Sequence, residues 1–230
     1  MIAELQSTLA AAERVFKVLE EPEEIIVDNP QTIEKVKGHV KFTNVSFAYD
    51  KDRPVLKHVN LDIPAGTLVA VVGPTGAGKT TLINLLMRFY EIHEGKIEVD
   101  GVDIKSMNQH SLRSMFSMVL QDSWLFYGSI YDNLIYGNEN VSKEDVERIA
   151  KEVHIHHFIE RTQAGYDTLI TDDGVNLSKG QRQLITIARA MLADKPMVIF
   201  DEATSNVDTL TEKRIQSATQ KLMHGKTCFV

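Results

Sequence analysis

GPTGAGKTT, residues 73–81, packs three glycines, a lysine and three threonines into nine residues. Gly73, Gly78, Lys79 and Thr80 satisfy G-x-x-x-x-G-K-[ST] between an apolar run, TLVAVVG, and a helix-periodic run, TTLINLLMRFY. Glycines let successive backbone N–H groups converge on phosphate oxygens, and the helix that follows contributes the positive end of its dipole. In such a loop Lys79 bridges the β- and γ-phosphates and the Thr80 hydroxyl ligates Mg²⁺, while Pro74, Thr75, Gly76, Ala77 and Thr81 complete the nucleotide cradle. At ordinary glycine usage a chance match in a chain this long is about a one-in-a-hundred event, and the strand-loop-helix setting weakens the reading as an ordinary turn further.

Farther along, KPMVIFDEATS supplies two carboxylates. Pro196 opens a continuous apolar run, 197–200, that ends in Asp201 and Glu202. Such a run suits a central parallel strand, at whose carboxyl end ligands gather. Neighbouring strand residues point to opposite sides, so the two acids divide the work. Asp201 suits the Mg²⁺ shell, and Glu202 suits the attacking water as catalytic base. The competing reading is a solvated acidic turn.

Between these two motifs lies GVNLSKGQRQL, residues 174–184. Ser178 and Gln181 stand at capping-box spacing, and Leu184, Ile185, Ala188, Met191 and Leu192 form the buried face of a helix. Taken alone this is a good N-cap. A Ser hydroxyl, a glycine that permits close approach (Gly180) and a helix N-terminus also make an anion site. The first loop already encloses its own nucleotide, so two phosphate sites on one chain are reconciled by two chains set head to tail.

The remaining sequence bounds the answer. With 230 residues, 43% apolar and 25% charged, the chain can bury one large core or two small ones. No stretch approaches the eighteen or so apolar residues of a membrane span, and no signal-like start is present, so the segment is expected to be soluble. The lone Cys228 can form no internal disulfide and reads as a small buried strand residue. The net charge of -7, without a Lys/Arg block, argues against a nucleic-acid partner. Ile2, Leu5, Leu9, Ala12, Phe16 and Leu19 fall on one face of an amphipathic helix that stops at Pro22. A linker follows. In HVKFTNVSFAYD, Val40 and Phe42, then Val45, Phe47 and Tyr49, alternate with a one-residue slip, and HVNLDI and TLVAVVG continue the β pattern. A strand pair around GKIEVDGVDI and the run SMFSMVLQD follow the first helix. From about 123 to 176 the pattern is helical, with Ser142 and Asp145 at capping-box spacing. A strand (MVIFD), a helix over 209–223 and a last strand (KTCFV) complete the chain. The expected architecture is α/β: a P-loop NTPase core with a mainly parallel sheet, an N-terminal antiparallel β subdomain and an inserted helical subdomain. Residues 1–37 form the leader helix and linker, 38–122 and 178–230 the core, and 123–177 the helical subdomain.

NLSKGQRQL resembles the signature motif of the ATP-binding cassette (ABC) transporter ATPases, and its distance from the P-loop and from MVIFDE matches that family. The likeness covers the chain from about Gly38 onward. It implies that Leu177, Ser178, Lys179, Gly180 and Gln181 meet the ATP held by a second nucleotide-binding domain, identical or related. It implies that Gln121 senses Mg²⁺ and the water while hinging the helical subdomain, and that Tyr49 stacks on adenine. Ser205, Asn206, Val207 and Asp208 resemble the loop that carries signals across the dimer. AAERVFKVLEEPEE is similar to the segment joining the last membrane helix of exporters to their ATPase domain, and LFYGSIYDNLIYG to the exporter helical subdomain that receives the membrane domain. The resemblance therefore implies ATP and Mg²⁺ as cofactors, a transmembrane domain as partner, and a place at the cytoplasmic face of the cell membrane.

Some residues depart from the pattern. Lys179 replaces the usual third-position glycine, adding a positive charge near the partner's γ-phosphate, and Asp173 stands where exporters often place glutamate. The family's switch histidine falls beyond the strand that opens as KTCFV, and the sequence ends at Val230. The expectation is a segment cut just short of it, binding MgATP but turning it over slowly. His224 lies at the opposite end of that strand and reads as a helix C-terminal residue, and His154, His156 and His157 read as solvated helical histidines rather than a metal site. Two alternatives stay open: a soluble ABC-type ATPase of DNA repair or translation, and a nucleotide-binding regulatory module that does not hydrolyse. The absence of an NKxD motif speaks against a small GTPase.

Overall fold

The computed structural model describes residues 2–21, 26–50, 53–120, 123–138, 140–170, 177–201 and 208–230. Asp173, Gln121, Glu202, Ser205, Asn206 and Val207 lie outside them. The chain opens with α1 (Ile2–Leu19), then β1 (Val40–Asp50), β2 (Arg53–Ile63), β3 (Leu68–Val69) and α2 (Lys79–Leu86). Next come β4 (Glu94–Val99), β5 (Val102–Asp103), α3 (Gln109–Arg113) and β6 (Phe116–Val119). A mainly helical stretch follows: β7 (Gly128–Ser129), α4 (Ile130–Ile135), α5 (Lys143–Glu152), α6 (His156–Glu160) and β8 (Leu169–Ile170). The last elements are α7 (Lys179–Ala193), β9 (Met197–Phe200), α8 (Thr209–Met223) and β10 (Thr227–Phe229).

Two larger sheets and a two-stranded ribbon result. The antiparallel sheet has the order β2-β1-β4-β5, and the other, β3-β10-β9-β6, is parallel at every pairing. The slip in the alternation of β1 is a real irregularity: its register against β2 and β4 shifts after residues 42 and 43, and Asn44 takes φ 51°. Opposite that bulge sits Gly95, at φ 86°, whose missing Cβ would collide with the carbonyls of Asn44 and Thr43. Only glycine lets β4 approach so closely.

β9 lies between β10 and β6, and all four of its residues are buried, as a continuous apolar run requires of a strand covered on both faces. Its alternation divides the core. Met197 and Ile199 join Phe42, Leu85, Leu86, Ile97 and Phe116 on the side of the antiparallel sheet. Val198 and Phe200 join Ile130, Leu134, Ile149, Ile185 and Ile215 on the helical side. On β10, Cys228 faces the helical side and Phe229 the other, so the cysteine is the buried strand residue its sequence suggested.

Several details differ from the sequence expectation. Of TLVAVVG only Leu68–Val69 is strand, although Val71 still donates to the Val230 carbonyl. β2 starts well before HVNLDI, because hairpin pairing with β1 carries polar residues into the ladder. The helical stretch contains the ribbon β7–β8, too short for a period to register. Of His154, His156 and His157, only His157 is a solvated helical residue. His154 occupies the turn before α6 at φ 62°, and half-buried His156 pairs its Nδ1 with the Tyr166 hydroxyl at 2.8 Å and its Nε2 with Glu160 at 3.2 Å. Helix α1 forms as its periodicity predicts, yet its apolar Leu9, Phe16 and Leu19 are exposed. Among the described residues no helix is long and apolar enough to cross a membrane.

Candidate nucleotide site

The loop 73–78 joins the end of the β3 segment to α2. Gly76 and Gly78 take φ 83° and 90°, backbone that side-chain-bearing residues rarely adopt. A Cβ on Gly78 would press on Leu56 and Val55 at 3.0 and 3.2 Å, so β2 packs against the start of α2. That helix has no side-chain cap on its first turn and no acidic residue there, leaving the positive end of its dipole unanswered by the chain. Lys79 curls back into the loop and donates from Nζ to the carbonyls of Gly73 at 2.7 Å and Pro74 at 3.1 Å. Residues 73–77 are exposed. Thr80 is exposed too, whereas Thr81 is buried, with its Oγ1 3.2 Å from the hydroxyl of Tyr49. Tyr49, at the end of β1, keeps 52% of its surface exposed.

Asp201 follows β9, anchored by its N–H to the carbonyl of Val119 at 3.0 Å, with its side chain exposed. The Thr80 hydroxyl and the Asp201 carboxylate are both hard oxygen donors, a set that fits Mg²⁺. Glu202 and Gln121 lie outside the described residues.

The second anion-ready element is α7. Ser178 is its N-cap: Oγ accepts from the Gln181 N–H at 3.2 Å, and Gln181 Oε1 accepts from the Ser178 N–H at 2.8 Å. A hydroxyl that accepts one bond still carries a proton to donate. Leu177 and Gly180 are buried, Lys179 and Gln181 half-buried, and Ser178 exposed. The helix is buried on more sides than its expected face, including Gln183, Thr186, Ile187 and Ala190, while Met191 is only half-buried. Arg189 ties it to the helical stretch, donating from Nε to the Asn133 carbonyl at 2.7 Å and lying over the Tyr136 ring. Burial pulls the Arg189 guanidinium below its ordinary value.

Asp208 is the N-cap of α8. Its Oδ1 accepts from the Thr211 N–H at 3.0 Å, which holds the carboxyl below its ordinary value. His224 is the C-cap of the same helix. Two clefts, of about 480 and 770 Å³, share Asp194, His224 and Lys226 at the amino-terminal ends of β9 and β10, away from the P-loop. Tyr90 and Phe47 both contact the Tyr49 ring: Phe47 stands two residues away on the same strand, where alternation already places it on that face, whereas no local spacing announces Tyr90.

The model of the ABC transporter family matches residues 56–205. An ABC transporter ATP-binding protein of Bacillus subtilis is 51% identical over 97% of this chain and 37% of its own length. The fatty acid ABC transporter ATP-binding/permease protein of Mycobacterium tuberculosis is 49% identical, over 98% of this chain and 36% of its own. The ATP-dependent lipid A-core flippase of Desulfotalea psychrophila is 44% identical, over 98% and 40%. Among solved structures, a bacterial Atm1-family ABC exporter with ATP bound superposes with a TM-score of 0.83 at 38% identity, covering 97% of this chain and 39% of that one. The chain belongs to the ABC transporter family. Within it, the chain is an ATP-binding ATPase domain of the exporter type, and it spans somewhat over a third of the length of these curated relatives.

Proposed function

We propose that this domain powers export across a membrane by closing head to tail with a second nucleotide-binding domain around two ATP molecules. The observation that carries the reading is that one chain presents two helix starts fit for phosphate, α2 behind the glycine loop and α7 behind Ser178. One nucleotide held in the P-loop leaves the second start to be met by the nucleotide of another domain. The domain would sit at the cytoplasmic face of the membrane, coupled to a transmembrane partner. Residues 38–122 and 178–230 form the core in this reading, and 123–177 the helical unit that faces the partner.

Lys79 exchanges the carbonyls of Gly73 and Pro74 for the β- and γ-phosphate oxygens, trading neutral acceptors for charged ones. Thr80, Asp201 and Gln121 hold Mg²⁺, which neutralises phosphate charge when bound. Glu202 orients the attacking water and takes its proton. Gly73, Pro74, Thr75, Gly76, Ala77, Gly78 and Thr81 line the phosphates, and Tyr49 receives the adenine. Leu177, Ser178, Lys179, Gly180 and Gln181 present to the partner's ATP, with Ser205, Asn206, Val207 and Asp208 at the dimer seam. Relatives named for fatty acid and for lipid A-core match this chain almost equally, which supports placing cargo choice outside this domain.

Sedimentation of the Glu202→Gln variant tests the reading. With MgATP it should run as a dimer that a second change, Ser178→Arg, disperses. A monomer at every protein concentration, with ATP bound, would remove the head-to-tail closure.

A further inference from the structure

Tyr49 does not stand alone at the end of β1. Two rings abut it at close to right angles: Phe47 at 4.9 Å and 88°, and Tyr90 at 5.0 Å and 87°. Both separations and angles are those of favourable edge-to-face pairs. Neither ring lies parallel to Tyr49, and half of its surface stays open to receive a planar group. The Tyr49 hydroxyl meets Thr81, a buried residue in the first turn of α2, so the ring is tied at its tip as well as along its sides.

The two flanking rings are themselves fixed. Phe47 is a core residue, 4% exposed, with the His93 ring 5.3 Å away. Tyr90 is 46% exposed, but the turn that carries it is unusually well held. Arg88, at φ 52° and buried, donates to Glu91 at 2.6 Å and to the carbonyls of Ile104 and Met107. Arg113 donates to the carbonyls of Met87 and Arg88 and lies 4.9 Å over the Phe89 ring. An exposed aromatic on a turn pinned by two arginines, touching the ring that faces the ligand, is a support built for orientation.

We propose that Tyr90 is a positioning residue for the nucleotide base: with Phe47 it holds the Tyr49 ring in the orientation that receives adenine. The proposal rests on the reading of Tyr49 as the base-facing residue. A ring held in its binding orientation before the ligand arrives loses less rotamer freedom on binding, and the gain appears as affinity.

ATP binding by calorimetry to Tyr90→Leu, Tyr90→Phe, Tyr49→Ala and the Tyr49→Ala/Tyr90→Leu pair tests it, with Tyr90→Ser as a second replacement. Tyr90→Leu should raise Kd roughly three- to tenfold, the worth of one edge-to-face pair, and Tyr90→Phe should stay within about twofold of the parent. In the Tyr49→Ala background Tyr90→Leu should add nothing, because the ring it orients is gone. Equal losses in both backgrounds would overturn the proposal, since Tyr90 would then act without Tyr49. No loss from Tyr90→Leu, where Tyr49→Ala does weaken binding, would overturn it while leaving the Tyr49 reading intact. An inert Tyr49→Ala would remove that reading and the proposal together.

Discussion

Gly95 and Gly101 have nearly the same backbone, φ 86° and 82°, but different neighbours. A Cβ at Gly101 would meet nothing within 4 Å, whereas one at Gly95 would strike the backbone of Asn44 and Thr43. Gly101→Ala should therefore cost only the left-handed backbone penalty, about 1 kcal/mol. Gly95→Ala adds a collision that the β1 bulge must move to relieve, and should cost at least about 2 kcal/mol more by urea unfolding. Equal costs would mean that the bulge yields freely. The sequence marks both glycines alike; the difference is made by a strand fifty residues away. Lys79 behaves the opposite way. Its part in the motif is legible from GKTT alone, but its location, folded onto Gly73 and Pro74, comes from the loop's closure around it.

At the level of the element, the caps were the most legible feature. Ser178 with Gln181 forms the reciprocal box that its spacing predicts. Ser142 receives the Asp145 N–H at the start of α5, also as the spacing suggests. A cap is local, so the four residues from N-cap to N3 suffice to define it. Asp208 shows where that locality ends, for its resemblance pointed across a dimer seam while the fold gives it a second task as the N-cap of α8. The Thr211 N–H holds its carboxyl below the ordinary 3.8. A lowered native value means the contribution is present above 3.8 and is lost as pH falls through the native value. Asp208→Asn keeps a capping oxygen but cannot titrate. The stability gap between parent and variant should be constant toward neutral pH and narrow below 3.8. A gap unchanged under acid, measured by urea unfolding, would show that the charge adds nothing to the cap. The ribbon β7–β8 and the full length of β2 were not legible, because short or polar strands are defined by their partners rather than by their own period.

For the whole molecule, the parallel sheet is the partition that brings the motifs together. β9 sends alternate residues into two cores and delivers Asp201 at its carboxyl end, on the sheet that also carries β3 toward the P-loop. A ligand that binds only the folded sheet must stabilise all of it. MgATP at a hundred times its Kd should add about 2.7 kcal/mol to unfolding, and the accompanying rise in Tm should grow with nucleotide concentration. Lys79→Met should abolish most of that rise while leaving the nucleotide-free Tm within a degree or two of the parent, since its bonds lie on an exposed loop. A rise that survives Lys79→Met would place the nucleotide elsewhere. The P-loop, the capped helix after Ser178, the central apolar strand and the α/β class are legible in the sequence, because each is written in contiguous residues whose period or spacing favours it, while the signature reading of that helix came from the family resemblance. Folding is what sets Tyr90 against Tyr49 and Asn44 against Gly95, buries α7 beyond its expected face and pairs His156 with Tyr166. Each depends on residues that share no period or cap with it, and such local patterns do not encode which side chain will arrive.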